Sequence, residues 1–304
     1  MMHTKLSKPH IYVPLAALCC LLWSSAFPFI KRGYRYFEIA AGDYASQILF
    51  AGCRFALAGV LTIMIASVIA KKPLVPRKKS TVGRIFVLSL AQTAVQYTLF
   101  YMALAKIEGS AGSVINSAGT FFCVLLSAVF FNSDRLNRYK IIGCALGFGG
   151  IVLMNFSSLK PGFHFGGEGL MLLSALCYAG SSILIKKFGE KDNPALLSGW
   201  QFLTGGVLMV VCGLAFGGRL HTVSGKGVAV LIYLALVSAT AYTLWGILLK
   251  YNPVSKITVF GFINPVGGVI LSALLLHEQV NWWLSILCLA LVSAGIVLVN
   301  KDKF

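Results

Sequence analysis

Apolar residues in this chain do not alternate with polar ones at the period of a half-buried helix or strand. They come in unbroken blocks of about twenty, separated by short polar segments, as in "YVPLAALCCLLWSSAFPFI". About twenty helical residues cross the roughly 30 Å hydrocarbon layer of a bilayer. On that measure ten spans are predicted, over 11–30, 46–70, 82–105, 110–131, 138–156, 167–186, 195–217, 227–249, 254–276 and 282–299. The pattern predicts an all-α integral membrane protein with ten transmembrane helices.

Composition agrees. Hydrophobic residues make up 58% of the 304 and charged residues 12%, where a soluble chain carries roughly a quarter charged. The net charge of +17 would suggest nucleic acid in a soluble protein, but its placement argues against that partner. With a cytoplasmic N-terminus, the inner segments hold 18 of the 26 Lys and Arg, among them "KKPLVPRKKSTVGR", "RLNRYK" and the tail "NKDKF". This excess orients both termini to the cytoplasm of a cell inner membrane. Lys31, Arg32 and Arg35 follow span 1 on the outer side and pull against that orientation. The eight cysteines all fall inside spans with no Cys-x-x-Cys pair, so they read as small buried hydrophobes rather than metal ligands or a disulfide framework.

Sliding the chain by 145 positions aligns 94–155 with 239–300, and 19 of 62 residues match. The matches include Tyr97/Tyr242, Thr98/Thr243, Gly150/Gly295 and the endings "GIVLMN" and "GIVLVN". More loosely, "LLWSSAFPFIK" faces "LCYAGSSILIK" and "GCRFALAGVL" faces "SGWQFLTGGVL". The chain therefore divides into two five-span halves, 1–156 and 157–304. Five is odd, so the second half enters the bilayer upside down relative to the first. Such inverted repeats are an architecture of secondary transporters, and the short loops leave no soluble domain for an active site.

The patterns "LLWSSAFPFIK", "RFALAG" and "FINPVGGVILSALLLHEQVNWW" followed by "GIVLVN" resemble the EamA family of the drug/metabolite transporter superfamily. The family's Trp-Gly in span 1 is Trp23-Ser24 here. Its Pro-to-Glu stretch is present as Pro265 and Glu278 in the second half, but the first half has Thr120 and Ser133 there, with Asp134 one step away. The resemblance covers essentially the whole chain and implies ten helices, a central cavity and export of small metabolites from the cytoplasm.

Arg54 is the only charged residue well inside a span. It is either a counter-ion for a substrate carboxylate or phosphate, or a side chain that reaches outward to water or pairs with Glu38 or Asp43. Polar aromatics come next: Trp23, Tyr97, Tyr101, Tyr178, Tyr242 and Trp245 offer apolar rings with one polar atom, which suits amphipathic metabolites. Tyr97 and Tyr101 share a helix face, and Tyr97 and Tyr242 are expected to approach a central cavity from opposite sides. Ser24, Gln96, Asn116, Gln201 and Asn264 add neutral polar groups that either line the cavity or join helices. Pro265 removes a backbone donor and is a candidate gating hinge. Glycines at 143, 147, 150, 205, 206, 267 and 268 are read as packing sites.

No acid lies mid-span, no phosphate-binding loop is present, and no cofactor is expected. Passive flux and proton exchange through a peripheral acid such as Glu108 or Glu278 both stay open. The expected partners are a small-molecule substrate such as an amino acid or amphipathic compound, and the lipid bilayer. A channel or lipid scramblase of the same fold is the alternative. An intramembrane enzyme is a distant third, because "LHEQVN" lacks a second histidine.

Overall fold

The computed structural model describes residues 6–40, 42–104, 106, 109–154, 164–276 and 282–301. Glu108 and Glu278 lie outside them. The described residues form ten helical rods: α1 (Pro9–Tyr36), α2 (Tyr44–Ala70), α3 (Lys79–Leu104), α4 (Gly109–Phe130), α5 (Arg138–Met154), α6 (Phe165–Lys191), α7 (Pro194–Ala215), α8 (Gly225–Tyr251), α9 (Val254–Leu276) and α10 (Trp282–Asn300). Among the described residues α1, α2, α3, α6, α7 and α8 are long and apolar enough to cross a membrane, and Ile115–Phe130 and Ile286–Asn300 are shorter apolar helices. The ten blocks thus become ten helices.

The helix ends follow local chemistry. Asp43 accepts a hydrogen bond from the Ser46 amide (3.0 Å) and caps α2. Asn193 and Ser224 do the same for α7 and α8, and Pro194 occupies the first turn of α7, where a missing N–H is tolerated. Removing such a cap typically costs about 1 kcal/mol. Asp43→Ala is expected to lower stability by that amount in a denaturant titration without changing the fold.

α1 continues six residues past its predicted end, so Lys31, Arg32 and Arg35 sit on its last turns rather than in a loop. Cations at a helix C-terminus meet the negative end of the backbone dipole, which accounts for basic residues where the charge asymmetry disfavours them.

Helix pairing is dominated by α2 on α7 and α5 on α10, with α1 against α8 and α9, and α4 against α6. Glycines permit the two closest pairs. A Cβ on Gly52 would lie 2.6 Å from the backbone N of Val210, and one on Gly213 would lie 2.8 Å from the backbone N of Leu49. A Cβ on Gly143 would lie 2.7 Å from the carbonyl oxygen of Gly295. Gly268 departs from the packing expectation: a Cβ there meets nothing within 4 Å.

Besides the π-helical turn that opens α6 over Phe165–Gly169, two rods depart from regular α-helix within their length. α3 widens to π-helical hydrogen bonding over Ser89–Gln96, where Thr93 presses on α7 at Gly205, whose Cβ would lie 2.6 Å from Thr93 Cβ. α9 tightens to a 3-10 stretch over Val259–Phe262 before continuing from Ile263. Pro265 lies just beyond and cannot donate to the carbonyl of Gly261. Both irregularities border the same interior space.

Candidate functional site

That space is a cavity of about 100 Å³ between α1, α2, α3, α4, α6, α8 and α9. Nine residues singled out from the sequence line it: Trp23, Arg54, Gln96, Tyr97, Asn116, Tyr178, Tyr242, Asn264 and Pro265. The two tyrosines that the 145-residue repeat relates meet there, hydroxyl against hydroxyl. Trp23 packs on Tyr242 with ring centroids 4.8 Å apart, Tyr242 on Phe202 at 5.0 Å, and Phe55 on Tyr97 at 4.4 Å. These tilted and edge contacts suit the ring quadrupoles and hold each side chain from several sides.

Four residues expected at the cavity surface are not on it. The Ser24 hydroxyl lies against the carbonyls of Cys20 (2.8 Å) and Asn264 (3.0 Å), so it joins α1 to α9. Tyr101 is buried among Tyr34, Tyr97 and Phe100. Gln201 donates from Nε2 to Gln92 Oε1 at 2.6 Å, bridging α7 to the π-helical part of α3. Trp245 stands behind Trp23, with centroids 4.9 Å apart. Each belongs to the layer that supports the wall. The Ser24 hydroxyl and Gln201 Nε2 are satisfied by a neighbouring helix, whereas Tyr101 Oη, Gln201 Oε1 and Trp245 Nε1 have no hydrogen-bond partner among the described residues, so residue type does not reveal which side a polar residue faces.

Arg54 is 2% exposed. Its Nε donates to Ser238 Oγ at 3.0 Å, and its guanidinium carbon lies 5.1 Å from the centre of the Phe55 ring. The expected alternatives do not occur. Arg54 is buried rather than extended to water, Asp43 is engaged in capping α2, and among the described residues no carboxylate forms an ion pair with Arg54. Three more buried polar atoms of the lining residues, Trp23 Nε1, Gln96 Oε1 and Asn264 Oδ1, have no hydrogen-bond partner among the described residues. Buried polar groups are ordinarily paired, and these three atoms are left unpaired within residues of the wall, without opening onto the cavity surface.

The lining also includes Ala26, Ile30, Phe100, Ser117, Thr120 and Gly261. For two of these a signal existed, because the repeat pairs Thr120 with Pro265 and Gly261 with Asn116. Thr120 Oγ1 would lie 2.6 Å from a Cβ on Gly261, so glycine is what lets α4 and α9 close the wall here. The aliphatic members carry no polar signal and could not be told from lipid-facing residues.

Comparison with known proteins agrees with this architecture. The chain matches the EamA-like transporter family over residues 10–156 and 165–301. It is 28% identical to a protein of Salmonella typhimurium described as a probable amino-acid metabolite efflux pump, over 88% of this chain and 87% of that one. It is 26% identical to an uncharacterized transporter of Archaeoglobus fulgidus, over 92% and 93% of the two chains. A solved crystal structure superposes with a TM-score of 0.78 at 17% identity, covering 95% of this chain and 98% of that one, which establishes the fold alone. The chain belongs to the EamA-like transporter family and is a multi-pass membrane transporter.

Proposed function

We propose that the protein is a secondary carrier that exports small organic metabolites, such as amino acids or amphipathic compounds, through the cavity by alternating access. The observation that carries this reading is the convergence of Trp23, Arg54, Tyr97, Tyr178, Tyr242 and Asn264 on one interior space. The name of the Salmonella relative supports an amino-acid metabolite as cargo.

An inverted pair of five-helix units, 1–156 and 157–304, is the mechanical basis of the proposal. The repeat alignments couple Tyr97 with Tyr242 and Trp23 with Tyr178, and all four reach the cavity. The pairing of α2 with α7 and α5 with α10 joins helices that occupy equal places in the two units, as a two-fold axis in the membrane plane requires. The 3-10 stretch at Val259–Phe262, just before Pro265, is the proposed hinge in α9. The proposed setting is the inner membrane, with both termini in the cytoplasm.

The test is efflux from proteoliposomes loaded with a mixture of amino acids, their N-acylated derivatives and small organic acids, with release followed by mass spectrometry. Saturation of the initial rate with internal concentration is the expected result. Ala26→Phe, which fills the cavity, is expected to cut the rate at least about tenfold with the melting temperature retained. A rate that rises linearly without saturating would instead mark a channel. Repeating the assay with and without a proton gradient separates uniport from proton exchange.

A further inference from the structure

The charge on the cavity wall is one-sided. Arg54 is the only ionised side chain among the lining residues; the rest are amides, hydroxyls, aromatic rings and aliphatic groups. Arg54 Nε donates to Ser238, and among the described residues no carboxylate forms an ion pair with Arg54. A buried ion without a counter-charge is costly, and proteins ordinarily pair it.

We infer that the cavity selects organic carboxylate anions, held by Arg54, and disfavours substrates that bring a free ammonium group. The inference rests on the carrier reading above and narrows its substrate class. A carboxylate matches the planar guanidinium fork. Ala26, Ile30 and Phe100 complete the wall with apolar surface for the body of the molecule.

An ammonium finds no such match. The unpartnered acceptors, Gln96 Oε1 and Asn264 Oδ1, are neutral. They provide no negative charge. A unit cation about 6 Å from the guanidinium, at an effective dielectric of about 20, is disfavoured roughly 100-fold. The net charge of the chain, +17, has the same sign and raises the local concentration of anions. Among amino-acid metabolites, those that lack the amine or carry it acylated are therefore preferred.

Three probes share one phenylalkyl body and differ in charge at pH 7: 3-phenylpropanoate (−1), phenylalanine (zwitterion) and 2-phenylethylamine (+1). Thermal unfolding of the purified full chain with each at saturation reads binding directly. The expected result is a rise of about 5 °C with 3-phenylpropanoate, a smaller rise with phenylalanine and none with the amine. The rise is expected to vanish in Arg54→Gln and to persist in part in Arg54→Lys. No shift with 3-phenylpropanoate, an equal or larger shift with phenylalanine or the amine, or a shift that survives Arg54→Gln overturns the inference. The probe series on the unaltered protein decides the matter even if Arg54→Gln does not fold. Saturable efflux together with a reversed ranking of the probes leaves the carrier reading standing and removes the anion preference alone.

Discussion

Asp134→Asn is expected to destabilise the folded chain by about 3–5 kcal/mol, the range for breaking a buried ion pair by removing one partner. Asp134 and Lys140 are each 1% exposed and lie 2.7 Å apart. The carboxylate also accepts from the Ser255 hydroxyl (2.5 Å) and the Ser255 amide (3.0 Å), capping the start of α9 from the turn between α4 and α5. Lys140 Nζ donates in addition to the Arg135 carbonyl at 2.7 Å. With asparagine in place, Lys140 stays buried and unpaired. Replacing both partners with apolar residues, as in Asp134→Leu with Lys140→Met, is expected to recover part of the loss.

The same group gives the fold a pH dependence of known sign. Burial pushes the Asp134 pKa up, but the hydrogen bonds from Lys140 and Ser255 outweigh it and hold the carboxyl below the ordinary aspartate value. A carboxylate whose folded pKa lies below its unfolded one contributes fully above the unfolded value, about 4. That contribution is lost as the pH falls through the folded value. Thermal midpoints of the parent and Asp134→Asn measured from neutral pH downward are expected to stay well apart until about pH 4 and to converge below it. A constant gap down to the most acid pH would exclude this role.

Much of the fold was legible in the chain because block length and hydropathy are local properties, and helix formation in lipid is compulsory when no water satisfies the backbone. The family resemblance was legible for the same reason. Among its visible departures are Ser24, Thr120 and Ser133, and Asp134, one step from the acidic position, was legible only as a displaced acid, since a cap offered to Ser255 is a contact 121 residues away. The π-helical stretch before Tyr97 left no mark in the sequence; it lies where Thr93 meets Gly205 of another helix. The site was half legible. Polar and aromatic types nominated the right neighbourhood, yet Ser24 and Gln201 show that a polar residue inside a bundle serves helix contacts as readily as a cavity. The loose alignment of "GCRFALAGVL" with "SGWQFLTGGVL" places Gln201 opposite Arg54. One half thus spends its polar residue on Gln92, and the other brings a charge to the wall.

The glycines of α2 and α7 carry the second large effect. They recur every seventh residue, at 52 and 59 on α2 and at 199, 206 and 213 on α7. Two helical turns return each to nearly the same stripe, and the helices cross with backbone against backbone, Leu49 beside Gly213, Gly52 beside Val210 and Ile63 beside Gly199. Small residues drive such pairing in membranes, where apolar area alone gives no preference for helix over lipid. At Gly52 the obstacle is the main-chain N of Val210, 2.6 Å from a Cβ, which cannot rotate away as a side chain would. Gly52→Val is therefore expected to force the helices apart, at about 3 kcal/mol, the upper end for overpacking, and to reduce the yield of monodisperse protein. Gly180→Ala on α6 is the contrast, since a Cβ there meets nothing within 4 Å. It is expected to be neutral or to stabilise by about 0.5–1 kcal/mol, because alanine loses less backbone entropy than glycine in a helix. Equal melting temperatures for the two variants would refute the crossing. Arg54 lies two residues beyond Gly52, so displacing α2 also carries the guanidinium away from the cavity, and efflux by whatever Gly52→Val protein does fold is expected to fall further than its reduced amount explains.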